Sequence, residues 1–579
     1  MDNDDERAKT HEDYAVGTVL VEDGEDYDRE NPHHVKFSWR MLWMYTGPGW
    51  LMSMAYLDPG NLTSDLQQGA YTQYQLLWVL WWSTVAGWVL QVLSARIGVT
   101  TGKDLAQVCH EEMPRWVCLV LFVQMELAII GADIQEVLGS AIAIKILFGV
   151  PLWGGCLITA VSTFSFLAMQ KYGVRLLEAF FAGFIGVMTV CFMINWGEAG
   201  SPAGPFMKGW VVPEVSSFAL LQAVGIVGAV IMPHNLYLHS GLVLSRKIDR
   251  GDVHKVAEGN YYNALESASA LFVSFFINAA IVATFAAKFY DYNCASLPGG
   301  PYGCVDPHAV ILASCDDSAT FCPEAGTNMM CLDQKPSGPG GCTPGGACTF
   351  PDTGEAQGVC AAIGLLLAGN SLQSSMGSAA NYVWAIGLLA AGQAATMTAT
   401  YAGQFVFAGF IQLDLPMWSV MMITRGFALG PSVVIALIAG NNPGVSATMN
   451  EWLNTLQSIQ LPFALLPAML ISGNKRVMGE FTTPFKWQVI TWALAVLLLA
   501  VNTYFMIDFL TDPSQPVPQS GAFHAVVILY GLVYYAFIVF MCRDELMNFF
   551  YYATGNPKRQ DSSAGKKGAL QQNLLFSNE

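Results

Sequence analysis

The sequence predicts an all-α polytopic membrane protein with about 12 transmembrane helices, and three observations carry that prediction. Of 579 residues, 53% are hydrophobic and only 12% are charged, with a mean hydropathy of +0.40; a soluble domain carries about twice that share of charge. Apolar runs recur along the chain with the roughly 20 residues needed to cross the hydrocarbon of a bilayer. Ala, Leu, Met and Phe dominate these runs without a period-two alternation. A bilayer offers exposed backbone groups no partners, so such runs fold as helices.

In chain order the runs lie at 41–57, 74–97, 116–145, 152–170, 176–196, 219–244, 265–287, 380–408, 417–439, 449–472, 487–507 and 521–541. Residues 1–40 hold 12 acids and 5 bases and read as an acidic, disordered cytoplasmic tail. The first 36 residues are charged and polar, which argues against a cleavable signal peptide. Spans one to seven fill 41–290, a Gly-, Pro- and Cys-rich loop fills 291–360, and spans eight to twelve fill 361–541. The polar segment 542–579, with Lys558, Arg559, Lys566 and Lys567, is expected to be a second cytoplasmic tail.

The net charge of -17 is concentrated: 1–40 and 291–360 contribute -7 each, leaving -3 for the rest. A chain without a basic surface cannot neutralise phosphates, so no nucleic-acid partner is expected. With both termini cytoplasmic, 22 of the 27 Lys and Arg fall on inner segments, including Arg246, Lys247, Arg250 and Lys255 between spans six and seven. That is a strong positive-inside bias. Eight of the 13 cysteines (Cys294, Cys304, Cys315, Cys322, Cys331, Cys342, Cys348 and Cys360) then lie in the outer loop. An even set in an oxidising compartment reads as up to four disulfides stapling a small cap. A metal-binding cluster is the competing reading, opposed by the lack of repeated CxxC spacing. No targeting motif chooses between the plasma membrane and an internal vacuolar or endosomal one.

The chain has no GxxxxGK[ST] loop, no HExxH and no G-x-S-x-G. An ATP-driven pump, a hydrolase or another enzyme is therefore not expected, and no cofactor is implied. A secondary transporter or channel fits. Span one contains Ala55-Tyr-Leu-Asp58-Pro59-Gly60-Asn61, and span six contains Ala229-Val-Ile-Met232-Pro233-His234-Asn235. They share Ala, Pro and Asn at one spacing, as an internal five-helix repeat would leave them. Each proline should break its helix, and helices broken at corresponding positions of two halves point to a transporter's binding site. Asp58 offers a carboxylate, Asn61 an amide oxygen, Met232 a thioether, and Ala55 and Ala229 offer carbonyls one turn upstream. Oxygen ligands alone suit Mg2+ or Ca2+, whereas a thioether beside them favours a softer ion such as Mn2+ or Fe2+. The competing reading is structural: a simple kink, a gap-filling Met and a buried Asp paired for packing. Repetition of the whole constellation favours the site, since a charge within the membrane is costly.

The two motifs resemble the paired signatures of the natural resistance-associated macrophage protein (NRAMP) family of proton-coupled divalent metal transporters. His239-Ser-Gly-Leu-Val243 with Ser245-Arg246, Glu266-Ser-Ala268, Gly387-Leu-Leu-Ala-Ala-Gly-Gln393, Thr400-Tyr-Ala-Gly-Gln404 and Gln460-Leu-Pro-Phe-Ala464 agree with it. The resemblance, over about residues 37–510, implies a LeuT-like fold of two inverted five-helix repeats plus two C-terminal helices. It also implies import of Mn2+ or Fe2+ with H+ by alternating access. By position it makes Asp58, Asn61 and Met232 metal ligands, with the Ala55 and Ala229 carbonyls joining in alternate states. Asn454, six residues before Gln460, stands for a span-ten amide ligand. The proton pathway would use Asp133 and Glu136, spaced i,i+3 on span three, with His234 and His239 in proton handling or gating. Family members carry one or two arginines before the Thr-Arg of span nine, where this chain reads Trp418-Ser-Val-Met-Met-Ile-Thr-Arg425. That departure predicts looser proton coupling. The rivals are a sodium-coupled amino-acid carrier of the same architecture and a membrane receptor with a disulfide-rich outer domain.

Overall fold

Each of the 12 apolar runs is helical in the computed structural model, which describes residues 19–21, 35–170, 174–297, 301–306, 347–349, 356–411, 417–439, 443–511 and 520–553. The principal helices are α1 Trp39–Tyr45, α2 Pro48–Ser53, α3 Pro59–Thr72, α4 Leu77–Thr101, α5 Leu105–Glu112, α6 Arg115–Phe148, α7 Leu152–Gln170, α8 Val174–Ala199, α9 Ala203–Val211, α10 Leu220–Val230, α11 His234–Leu242 and α12 Val253–Phe289. After the loop come α13 Leu365–Met376, α14 Ser378–Ile411, α15 Met417–Ala439, α16 Pro443–Gln460, α17 Pro462–Ser472 and α18 Phe485–Thr511. The chain divides into two units, Met1–Phe509 and Leu510–Glu579, and the second contains α19 Gly521–Ala553. Among the described residues, 9 helices are long and apolar enough to cross a membrane, and two shorter apolar stretches, Leu152–Thr163 and Gly426–Ile438, lie in spans four and nine.

Span one departs from its expected bounds of 41–57. It runs from Pro48 to Thr72 and is interrupted by a 3-10 turn at Met54–Tyr56 and by the extended Asp58. Its second half, α3, is rich in Asn, Thr, Ser, Asp and Gln, so hydropathy fades at the break although all 14 of its residues are buried. Trp39–Tyr45 is a separate helix whose Trp39 and Trp43 are largely exposed, as suits an interfacial segment. Span six breaks where expected, between α10 and α11. Span ten, expected as one run, is interrupted as well, at Leu461-Pro462 between α16 and α17. Four spans lie between the first two breaks, so span six crosses in the opposite sense to span one.

Glycine brings these helices close. A Cβ at Gly139 of α6 would overlap the Pro59 ring, and one at Gly69 of α3 would overlap the Val282 carbonyl of α12. The second half of span one is thereby pressed against spans three and seven.

In the cysteine-rich loop, strands β1 Gly303–Val305, β2 Ala347–Thr349 and β3 Ala356–Ala361 form an antiparallel sheet in the order β1-β3-β2. Disulfides Cys294–Cys360 and Cys304–Cys348 knit it together. Cys315, Cys322, Cys331 and Cys342 lie outside the described residues. The sulfurs of Cys294, Cys348 and Cys360 lie within 4.8 Å of one another, but each is bonded in a disulfide and offers no thiolate to a metal. Far in sequence from the broken helices, the sheet nevertheless rests on one of them. Ile363 N donates to the Tyr71 hydroxyl at 2.9 Å, and Gln67 Nε2 donates to the Ile363 carbonyl at 3.4 Å. At the other end of the molecule, Val19–Leu20 pairs in parallel with Arg246–Lys247. Val21 and Val35 pack on a buried cluster that includes Tyr45, Val99, Ile248 and Tyr262. Of the expected tails, residues 35–40 lead into and begin α1, and residues 542–553 continue α19 past the expected end of span twelve; residues 1–18, 22–34 and 554–579 lie outside the described residues.

Candidate functional site

The site begins with two missing backbone donors. In a continuous helix, the N–H of residue i serves the carbonyl of residue i−4. Pro59 and Pro233 have no N–H, and the carbonyls they fail to serve are those of Ala55 and Ala229. Both residues are buried. Proline is tolerated here because each also stands where a new helix starts, a position at which an N–H has no intrahelical use.

Asp58 caps α3, its carboxylate accepting from Gly60 N at 3.2 Å and Asn61 N at 3.1 Å. Helix N-termini favour negative charge, so these bonds keep the buried carboxylate fixed at the break. Asn61 Nδ2 donates to Asp58 Oδ1 and, at 3.5 Å, to the Ala55 carbonyl. This turns Asn61 Oδ1 away from any protein donor; it is buried with no hydrogen-bond partner. In span six Met232 is buried in the register that Asp58 occupies in span one. Next to it, His234 Nδ1 and both amide atoms of Asn235 are buried without partners.

Helix α10 packs against α3, with Gln222 Nε2 donating to the Ser64 carbonyl at 3.4 Å. Beside the span-one break stands a glutamine with no motif to announce it. A Cβ at Gly60 would lie 2.9 Å from both Asp58 Oδ2 and Gln135 Oε1. Gln135 Nε2 donates to Asn454 Oδ1 at 2.8 Å and to the Asn450 carbonyl at 3.2 Å, while Gln457 Nε2 donates to Gln135 Oε1 at 2.8 Å. From the other side, Gly228 comes close to Ser458 and to the Asn454 carbonyl; a Cβ there would lie 2.9 Å and 3.3 Å from them. Asn454 is thus near both breaks, with its amide oxygen already accepting from Gln135. The residues missed in the sequence are Gln135 and Gln457. Their sole signal was an amide within the Asp133–Glu136 stretch and another three residues after Asn454.

Asp133 and Glu136 are buried on α6, but not on the side that meets span one. At about 100° per residue, Gln135 and Gly139 share the face toward α3, and Glu136 and Ser140 share the next one. A Cβ at Gly392 of α14 would lie 3.2 Å from the Glu136 carbonyl, which identifies that second face as the α14 side. The acid pair and the break therefore adjoin through one helix. His239 links three spans: its Nδ1 lies 3.1 Å from Gln91 Oε1 and its Nε2 3.4 Å from Ser267 Oγ, and Gln91 Nε2 donates to the Tyr56 hydroxyl at 3.4 Å. The side chains of Trp418, Val420, Met421, Thr424 and Arg425 in span nine lie outside the described residues.

With this geometry in view, likeness to known proteins is specific. The model of the natural resistance-associated macrophage protein-like family, Nramp, matches residues 49–298 and 349–508. The chain is 40% identical over 544 residues to the metal transporter Nramp4 of Arabidopsis thaliana, covering 93% of each. It is 42% identical over 510 residues to the metal transporter Nramp2 of Oryza sativa subsp. japonica, covering 87% of this chain and 84% of that one. Among solved structures, a histidine-to-alanine variant of the manganese transporter of Eremococcus coleocola aligns with a TM-score of 0.67 at 25% identity, over 92% of this chain and 97% of that one. The chain therefore belongs to the Nramp family and is a multi-pass membrane protein with the LeuT-like fold of its relatives.

Proposed function

We propose that this protein is a secondary transporter that binds a divalent transition-metal ion between the broken helices of spans one and six and carries it, with protons, toward the cytoplasm. Mn2+ and Fe2+ are the proposed substrates, and no cofactor is needed. The observation that carries the reading is the Asp58 carboxylate fixed at the span-one break with the unpartnered Asn61 Oδ1 and the Ala55 carbonyl next to it, matched in span six by Pro233, which leaves the Ala229 carbonyl without its helical donor. These oxygens with the Met232 sulfur make a mostly hard donor set with one soft member, which suits Mn2+ and Fe2+. Uptake by the purified protein in liposomes, compared across Mn2+, Fe2+, Mg2+ and Ca2+, tests it. Entry of Mn2+ and Fe2+ with exclusion of the two hard ions is expected, and no metal entry would overturn the reading.

Met232 supplies the discrimination. Met232→Ala is expected to keep Mn2+ transport at reduced affinity while admitting Ca2+ or Mg2+, because the thioether makes hard ions give up an oxygen partner. Competition assays check this, and unchanged exclusion of Ca2+ would assign Met232 to packing.

For protons, the proposed path leads from Asp58 across α6 to Asp133 and Glu136, with His234 and His239 beside the break. The stretch before Arg425 has no second arginine, so no further fixed positive charge there holds the relay acids ionised. Mn2+ entry is expected to acidify dye-loaded liposomes weakly, and Asp133→Asn to diminish the acidification. A tight, fixed proton-to-metal ratio in the unmodified protein would overturn the loose-coupling reading. The Lys and Arg distribution supports cytoplasmic termini, and the two disulfides support an oxidising side for the loop after span seven. The membrane is the plasma membrane or an internal vacuolar or endosomal one.

A further inference from the structure

Beyond Asn61 the polar side of α3 continues. Asp58, Asn61, Asp65 and Gln68 follow one another at intervals of three and four residues, so they line one helical face. All four are buried to within 1% of complete exclusion. A carboxylate kept for structure alone would be expected to gather donors, as Asp58 does. Asp65 Oδ2 has none, and neither amide atom of its neighbour Gln68 has a partner. Ser64 Oγ on the adjoining edge is also buried without one. Buried polar atoms left unpaired are costly and uncommon. A row of them along one face, continuous with the unpartnered Asn61 Oδ1, is chemistry set aside for something that is not protein.

The surroundings narrow the occupant. On one side Gln222 of α10 is bonded to the Ser64 carbonyl, and on the other Gly69 is pressed against Val282 of α12. Asn278 of α12 donates to the Tyr56 carbonyl at 2.9 Å and has an unpartnered Oδ1. Neither flank brings a cation to Asp65 in these contacts, and the face offers a carboxylate with amide and hydroxyl oxygens. That is the donor set of a partly hydrated, hard divalent ion.

We propose that Asp65, with Gln68 and Ser64, forms a second cation site in which a divalent metal ion is held with part of its water shell on its way to or from Asp58. The proposal rests on the metal-transport reading above. Seven residues of helix separate the two aspartates by about 10 Å. This is too far for one ion to bridge and close enough that two dications repel, so the sites are filled in turn. Lacking a sulfur ligand, the Asp65 site does not distinguish Mn2+ from Ca2+ or Mg2+. It captures, and the Met232 site selects.

Binding of Mn2+ to the purified full-length chain, followed by the loss of the free-ion electron paramagnetic resonance signal, tests the proposal. The unmodified protein is expected to bind Mn2+ tightly. Asp58→Ala is expected to keep one weaker ion that equimolar Ca2+ displaces, and the double variant Asp58→Ala, Asp65→Asn to bind none. In uptake assays Asp65→Asn alone is expected to raise the KM for Mn2+ about tenfold with kcat little changed, since one of the charges that hold the ion is lost. Gln68→Ala, which leaves the buried charge in place, is expected to shift KM the same way by a smaller factor and covers the case in which Asp65→Asn does not fold. If Asp58→Ala binds no Mn2+ while the unmodified protein does, Asp65 is a structural acid and the proposal is overturned with the transport reading intact. Equal residual binding in the single and double variants also overturns it. Absence of Mn2+ binding by every form, the unmodified chain included, overturns both.

Discussion

Asp58→Ala is expected to abolish Mn2+ uptake while the protein still folds and inserts. Asp58 is the one anion among the proposed ligands, and without it a dication would face only carbonyl, amide and thioether dipoles in a buried site. Truncating one partner of a buried charge pair costs about 3–5 kcal/mol, and each 1.4 kcal/mol is about a tenfold change, so loss on the order of a hundredfold or more is expected. The fold should survive because the same carboxylate is costly to bury when no ion is bound. Its cap on Gly60 N and Asn61 N contributes about 1 kcal/mol. Asp58→Asn separates the two roles, since an amide oxygen still caps α3 but carries no charge. Both variants should lose transport, with the Asn variant melting closer to the unmodified protein. Uptake at the ordinary rate by correctly inserted Asp58→Ala would remove the proposed site.

What could be read in the sequence follows from which properties are covalent and which are collective. The missing N–H of Pro59 and of Pro233 is covalent, so the two breaks and their orphaned Ala55 and Ala229 carbonyls were legible from seven residues each. Most spans were legible because hydropathy over some 20 residues is what a bilayer selects. The same measure failed at α3, where polar residues serve the site and are shielded by α6, α10 and α12 instead of by lipid. The interruption at Leu461-Pro462 was hidden differently: its flanks stay apolar enough to read as one run. Gln135 and Gln457 were illegible because an amide has no signature spacing. They matter through α16 lying beside α3, which is a tertiary fact. The disulfides show the limit most directly. Cys304 stands opposite Cys360 in the sheet, yet Cys304 bonds Cys348 and Cys360 bonds Cys294, a choice that neither the spacing of cysteines nor the strand register announces.

Arg246→Ala is expected to cause the largest loss of stability among single side-chain truncations outside the metal site. Its guanidinium is fully buried and donates to Glu178 Oε1 at 2.7 Å, to the Thr46 carbonyl at 2.6 Å and to Ser245 Oγ at 3.1 Å. Burial pulls its pKa down and the Glu178 carboxylate beside it pulls the other way, so the charge is retained by its partner. Around this pair the entry to span one is tied down. Gly47 N and Gly49 N both donate to Glu266 Oε1, and Arg175 donates to the Met44 and Thr46 carbonyls at 2.7 Å each. Gly47 itself, at a φ of +149°, has no room for a Cβ because Glu178 and Arg246 fill that space. Truncating Arg246 takes the buried partner from the Glu178 carboxylate, a cost of about 3–5 kcal/mol when a buried pair is broken from one side, while the Thr46 carbonyl keeps Arg175. Arg175 offsets part of it, reaching Glu178 Oε2 at 3.2 Å from a largely exposed position. Arg246→Lys should recover only part of the loss, because an ammonium cannot serve Glu178 and Thr46 in the planar fork that a guanidinium provides. Thermal unfolding in detergent should rank unmodified, Lys and Ala forms in that order, with little dependence on salt since the pair is shielded from solvent ions. Protease sensitivity of residues 35–47 should rise in the same order. Equal melting of Ala and unmodified forms would mean that Arg175 and Glu266 alone hold the start of span one, and that Arg246 is buried there without fastening it.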